Sequence, residues 1–81
     1  MNVSYTPFFK ERMKECPKEI QQKFYKQIFY LKQNLRHPSL RAKKYSEVED
    51  IWQARVDQNY RFYFCIENDT YILLNIRPHP K

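Results

Sequence analysis

The sequence predicts an α+β fold, in which two N-terminal α-helices pack on one face of a small, mostly antiparallel β-sheet. Apolar residues recur every three or four positions between residues 7 and 35, a helical spacing, whereas residues 52–66 and 70–76 alternate with the period of two of a strand. At 81 residues the chain is predicted to form a single domain, residues 1–81. Its thin core would depend on large aromatic side chains, which make up 17% of the sequence.

The first half of the chain is predicted to contain one strand and both helices. Asn2–Tyr5 alternates polar and apolar residues, as a short strand does. Thr6 followed by Pro7 predicts the cap and the first residue of a helix, which Pro17 ends. The second helix is predicted to run from Pro17 to about residue 35, because one apolar stripe continues along it. The stripe consists of Ile20, Phe24, Ile28, Leu31 and Leu35.

The second half is predicted to contain three strands linked by hairpin turns. Residues 39–50 are expected to be an irregular connection, with at most a short strand around residues 42–45. The strands are predicted in the segments 52–56, 60–66 and 70–76. Because the chain contains no glycine, short polar residues are expected to adopt the left-handed backbone conformation that turns often require. The expected residues are Asn59, Asn68 and Asp69.

The alternation over residues 52–66 separates an apolar face from a polar face. The apolar face is predicted to hold Trp52, Ala54, Val56, Tyr60, Phe62, Phe64 and Ile66. Opposite it would lie Gln53, Arg55, Arg61, Tyr63 and Cys65. In the last strand Ile72, Leu74 and Ile76 are predicted to share one face, and Tyr71, Leu73, Asn75 and Arg77 the other. Two guanidinium groups on a rigid sheet suit the binding of a phosphate backbone.

Charge and composition narrow the classes of function. A net charge of +6 and a pI near 9.4 favour a polyanionic partner, either a nucleic acid or an acidic protein. Cys16 and Cys65 are too few for a disulfide framework and lack metal-binding spacing, and no glycine-rich phosphate loop is present. With no apolar run near the roughly 20 residues of a membrane span and no signal peptide, we expect a cytoplasmic protein without metal or cofactor.

Three segments resemble a known family in their order and in the elements that carry them. They are His37-Pro-Ser-Leu-Arg-Ala-Lys-Lys-Tyr45, then Trp52-Gln-Ala-Arg-Val56 with Tyr60-Arg-Phe-Tyr-Phe64, and finally Asn75-Ile-Arg-Pro-His79. The chain resembles the RelE/ParE superfamily of bacterial type II toxins, and specifically the RelE/YafQ-like mRNA interferases. This resemblance implies a small antiparallel sheet with two N-terminal helices. It also implies a toxin that is neutralised by a cognate antitoxin and that cleaves mRNA without a metal, often on the ribosome.

The resemblance also implies which residues act. Arg55 falls at a basic position of the central strand, Arg61 at the arginine of the Tyr-Arg pair, and His79 near the C-terminal catalytic position. Cleavage by an RNA 2′-hydroxyl requires cations that stabilise the phosphorane and an acid or base suited to neutral pH. Further RNA contacts are expected from Arg41, Lys43, Lys44, Gln53, Tyr63 and Arg77. The period-two pattern independently places Arg55 and Arg61 on one face.

Two departures from the family pattern concern activity more than fold. Arg77 stands where members commonly have glycine, and Gln53 stands where a strong interferase can carry a charged residue. The alternative function is a non-nuclease with the same fold, either a poison of DNA gyrase or a degenerate toxin that only binds its antitoxin. A plain RNA-binding module is a third possibility. For Arg55 and Arg61 the simplest alternative is a solvated strand face with salt bridges to acidic turn residues.

Overall fold

In a computed structural model, which describes residues 1–80, the chain forms a five-stranded sheet covered on one face by two helices. The elements are β1 (Asn2–Tyr5), α1 (Pro7–Glu15), α2 (Lys18–Gln33), β2 (Lys43–Ser46), β3 (Ile51–Arg55), β4 (Tyr60–Glu67) and β5 (Thr70–Pro78). The strand order is β1-β5-β4-β3-β2; β1 pairs with β5 in parallel and the other pairs are antiparallel. The predicted α+β class is therefore confirmed.

Local sequence explains how α1 starts and how it is joined to the sheet. The Thr6 hydroxyl accepts a hydrogen bond from the Phe9 N–H at 3.2 Å and donates one to the Leu73 carbonyl at 2.9 Å. Pro7 is the first helical residue, as predicted. The second helix ends at Gln33, two residues before the predicted end, and the Asn34 N–H closes its last turn onto the Tyr30 carbonyl.

The core lies between the helices and the sheet, and aromatic rings fill its centre. Phe24 of α2 is fully buried, with its ring centroid 5.1 Å from that of Phe9 and 5.2 Å from that of Phe62. The other buried members of this core are Met13, Ile20, Ile28, Leu31, Leu40, Ala54, Val56, Phe64, Tyr71, Leu73 and Ile76. Three aromatic residues from two helices and one strand thus supply much of the apolar burial in a small domain.

A β-bulge in β5 makes part of the predicted facing of that strand wrong. Tyr63 pairs with Asn75, but the next residue of β4, Phe64, pairs with Leu73, so Leu74 is an extra residue. As a result Tyr71 and Leu73, not Ile72 and Leu74, are buried in the core. Ile76 is also buried in the core, as expected. After the extra residue, Asn75 and Arg77 lie on the face away from the helices, opposite to Ile76, as predicted.

The left-handed residues differ in part from those expected. Asn68 has a φ of 54°, as predicted, but the other left-handed residues within 1–80 are Arg41 (46°) and Asp50 (56°). Asn59 and Asp69 do not have positive φ, so those two predictions were wrong. The turn before β4 forms without such a residue because its N–H groups bond to the side chain of Asp57.

Candidate functional site

Antiparallel pairing aligns three arginines in one row across the sheet. Arg55 of β3 is paired with Arg61 of β4, and Arg61 is paired with Arg77 of β5. The next row on this face consists of Lys43, Gln53, Tyr63 and Asn75. Paired residues have Cα atoms only about 4.5–5.5 Å apart, and like charges directly opposite one another are unfavourable. The three arginines therefore concentrate positive charge, and a bound anion would lower the repulsion between their guanidinium groups.

A cleft of about 370 Å³ opens on this face of the sheet, beside Arg55 and Arg61 of the arginine row. Its lining residues are Arg41, Lys43, Gln53, Arg55, Arg61 and His79. It therefore unites all three residues implied as catalytic with three of the six expected RNA contacts. The resemblance implied that Arg55 lies on the central strand, but it lies on β3, next to the central strand β4 that carries Arg61.

The cations of the cleft form no salt bridge with the acidic residues that the structure describes. Within residues 1–80 the salt bridges are made by Arg12, Lys14, Lys23 and Lys44. Arg41, Lys43, Arg55 and Arg61 make none there, contrary to the alternative of an ordinary ion-paired surface. A concave surface with charge of one sign attracts and holds a polyanion.

Arg61 is held by the turn between β3 and β4. Its Nη1 donates to the carbonyl oxygens of Asp57 at 2.7 Å and Tyr60 at 2.9 Å. Burial, and then the neighbouring Arg55 guanidinium, lower the pKa of Arg61 below its ordinary value. An arginine in a protein nevertheless remains charged. The turn thus fixes a permanent cation at the cleft.

Asp57 shapes that turn through its side chain. Its Oδ1 accepts hydrogen bonds from the N–H groups of Asn59 at 2.8 Å and Tyr60 at 2.9 Å, and its Oδ2 lies 3.3 Å from Nζ of Lys23. Burial alone would raise the pKa of Asp57, but the bonds from Asn59, Lys23 and Tyr60 outweigh it and hold this pKa below its ordinary value. The carboxylate is therefore stabilised in the folded protein.

We expect Asp57→Asn to lower the free energy of unfolding at pH 7 by about 1 kcal/mol or less. A carboxyl whose pKa is depressed in the folded state stabilises the fold above its unfolded pKa of about 3.9 and loses that contribution as the pH falls through the folded pKa. The difference between the two proteins in urea denaturation should therefore shrink below about pH 4. Asp69→Asn, at an exposed turn acid, is the control. A difference that stays constant with pH would contradict this role for the charge.

Gln27 of α2 fixes the backbone around the cleft. This buried side chain donates to the carbonyl oxygens of Arg55 at 2.8 Å and Ser39 at 3.0 Å, and accepts from the Ser39 hydroxyl at 3.1 Å. The Arg55 N–H donates to the Leu40 carbonyl at 2.8 Å. Sequence reasoning missed Gln27, although its position three residues after Phe24 and four before Leu31 places a polar side chain on the buried face of the helix.

His79 is exposed but its backbone is anchored. Its N–H donates to the Asn59 carbonyl at 2.7 Å, so the turn that holds Arg61 also holds this residue. The turn between β3 and β4 therefore positions both Arg61 and His79 at the cleft.

Three expected RNA-binding residues lie outside the cleft. Lys44 is on the opposite face, where it forms a salt bridge with Asp50 and its Nζ lies 5.3 Å from the centroid of the Trp52 ring. Strand alternation in β2 places Lys43 on the cleft face and Lys44 away from it. Tyr63 and Arg77 lie beside the cleft. Tyr63 lies on the polar face of the sheet, as expected, but it is buried there, with only 5% of its surface exposed.

No group of three or more His, Cys, Asp or Glu side chains within residues 1–80 could hold a metal ion. None of the helices described there is long and apolar enough to cross a membrane. Cys16 and Cys65 are free, and burial raises the pKa of both thiols, which makes them poor nucleophiles.

The fold is similar to solved toxin structures. The YoeB/ParE toxin from Agrobacterium tumefaciens is 13% identical, with a TM-score of 0.81 over 99% of this chain and 100% of that chain. A chain of the RelB-RelE antitoxin-toxin complex from Methanococcus jannaschii is 22% identical, with a TM-score of 0.76 over 94% of this chain and 89% of that chain. YafQ from E. coli strain BL21(DE3) is 15% identical, with a TM-score of 0.76 over 95% and 91%.

No protein-family model and no curated protein matches the sequence. The similarity to solved structures is nevertheless close over nearly the whole length of each chain, with identities of 13 to 22% for the three structures above. It confirms the fold that the three sequence segments implied. The chain has the fold of the RelE/ParE superfamily of toxins.

Proposed function

We propose that this protein is the toxin of a type II toxin-antitoxin pair, a metal-independent endoribonuclease that cleaves mRNA in the cytoplasm. The observation that carries the proposal is the cleft in which Arg41, Lys43, Arg55 and Arg61 meet His79. These cations have no carboxylate partner within residues 1–80. A cognate antitoxin is the proposed protein partner, in line with the solved RelB-RelE antitoxin-toxin complex of the same fold.

The residues of the cleft have separate roles in the proposed cleavage of RNA. An RNA 2′-hydroxyl attacks the adjacent phosphorus, and the bond from phosphorus to the 5′-oxygen breaks. The products are a 2′,3′-cyclic phosphate and a 5′-hydroxyl. Arg55 and Arg61 stabilise the charge that develops on the phosphorane oxygens. His79 takes the proton of the attacking hydroxyl or gives one to the leaving oxygen, while Arg41 and Lys43 hold neighbouring phosphates.

The proposal is tested by incubating the purified protein with free mRNA, with and without a chelator, and in parallel with mRNA on ribosomes in magnesium buffer. We expect fragments with 5′-hydroxyl ends, which polynucleotide kinase labels directly. Arg36→Ala removes an exposed arginine that lies outside the cleft and should cleave as the unmodified protein does. No cleavage in either condition, or cleavage of free mRNA that the chelator abolishes, would contradict the proposal.

A non-nuclease with this fold would behave differently in the same experiments. A gyrase poison would inhibit DNA supercoiling by gyrase and leave RNA intact. A degenerate toxin would bind its antitoxin and do neither. The cluster of cations with a histidine favours the nuclease, because neither alternative requires an acid or base beside a phosphate site.

A further inference from the structure

Beside the cleft, two tyrosines and an arginine form a cluster that we call the aromatic platform: Tyr45, Tyr63 and Arg77. The rings of Tyr45 and Tyr63 meet edge to face with centroids 5.0 Å apart. Arg77 donates from Nε to the Tyr63 hydroxyl and from Nη2 to the Tyr45 hydroxyl, both at 3.3 Å, and its guanidinium lies 5.0 Å from the centre of the Tyr63 ring. The hydrogen bond that Arg77 donates to the Tyr63 hydroxyl is the main reason that the pKa of Arg77 is raised.

The platform presents one ring to solvent and supports it with the other two groups. Tyr45 is 55% exposed, whereas Tyr63 is 5% exposed. A hollow of about 220 Å³ adjoins the cluster, and Ile51, Leu74 and Asn75 complete its lining. An exposed ring that is already held in place loses little conformational freedom when a flat ligand stacks on it.

The position of the platform relates it to the phosphate site. Tyr63 follows Arg61 by two residues on β4, a separation of about 7 Å on the same face, and Arg77 is paired with Arg61 across the sheet. A nucleotide whose phosphate contacts Arg61 can therefore place its base near Tyr45. Aromatic rings and guanidinium planes are the groups on which proteins stack unpaired RNA bases.

We infer that the aromatic platform binds one unpaired nucleobase of the RNA substrate, by stacking on Tyr45 in an orientation that Arg77 and Tyr63 maintain. This inference rests on the proposed function, since it places the base beside the phosphate that the cleft binds. It assigns to Tyr45 a part in substrate recognition that is separate from the cations. The polar edges of all three groups favour a base over an apolar side chain of a protein partner.

The test measures equilibrium binding of a short single-stranded oligonucleotide with 2′-O-methyl ribose throughout, which cannot be cleaved by 2′-hydroxyl attack. Tyr45→Ala should bind it about 5- to 150-fold more weakly than the unmodified protein. Tyr45→Phe, which keeps the ring, should bind within about threefold. Tyr25→Ala is the matched control, because Tyr25 is 56% exposed but lies on α2, away from this face. Circular dichroism verifies that each variant is folded.

Two further measurements separate base stacking from phosphate binding. The salt dependence of binding should keep the same slope in Tyr45→Ala, because no phosphate contact is lost. An oligomer of abasic sugar phosphates should bind equally well to both proteins. Equal affinity of Tyr45→Ala and the unmodified protein for the oligonucleotide would overturn the inference alone. If the unmodified protein does not bind the oligonucleotide at all, both the inference and the RNA-directed function fail.

Discussion

Replacing Arg61 with alanine should lower the rate of mRNA cleavage by about 10²- to 10³-fold, the usual cost of removing one group that stabilises transition-state charge. The guanidinium lies at the centre of the arginine row, and two turn carbonyls hold it in place. Because it remains charged and needs no reorganisation during the reaction, its effect on the phosphorane is large. Single-turnover cleavage of mRNA measures the change.

Two companion variants define what Arg61 contributes. Arg61→Lys keeps the positive charge but not the planar fork, so it should recover only part of the rate. Arg36→Ala should cleave like the unmodified protein. If Arg61→Ala is folded and cleaves within about threefold of the unmodified rate, Arg61 is not part of the catalytic site.

Replacing Phe24 with alanine should lower the free energy of unfolding by about 3–5 kcal/mol. The ring is fully buried and contacts rings from both α1 and β4, so no neighbour can fill the cavity without leaving its own position. At about 0.05–0.15 kcal/mol per residue, a domain of this size has roughly 4–12 kcal/mol of stability in all. The variant should therefore lose a large part of the total stability, which urea denaturation would measure.

The control for Phe24 lies on the same helix. Phe29 is 60% exposed, and Phe29→Ala should change the free energy of unfolding by no more than about 0.5 kcal/mol. Similar losses for the two variants would show that the core is not centred on Phe24. The comparison holds helix propensity constant, because both positions lie in the interior of α2.

Elements with a clear period were predictable from the sequence. The stripe through Phe24 and Leu31 indicated α2, and Thr6 with Pro7 indicated the start of α1, because helix faces and caps depend on neighbouring residues alone. The position of Arg55 and Arg61 on one face of the sheet was also predictable. Their shared face follows from the period of two and from the short turn that joins their strands.

Other parts of the fold and the site could not be predicted from the sequence, because they depend on how its segments pack and pair in the folded protein. The bulge at Leu74 reversed the predicted facing of residues 71–74 in β5, and no local pattern marks it, because a bulge depends on how two strands pair. Asp57 completes its turn with its own side chain, and so Asn59 does not need a left-handed backbone. Lys43 and Lys44 are adjacent in sequence but lie on opposite faces once residues 43–46 form a strand.

The fold class, the helices and the shared sheet face of Arg55 and Arg61 could be predicted from the sequence, since each follows from periodicity over a few neighbouring residues. Two arrangements depend on the three-dimensional packing of the chain. Arg41, Lys43 and His79 meet the two arginines in one cleft, and Tyr45 joins Tyr63 and Arg77 beside it. Arg41 comes from a loop, Lys43 and Tyr45 from the edge strand β2, and His79 from the residues that follow β5. Their proximity depends on strand order and register, which long-range packing sets.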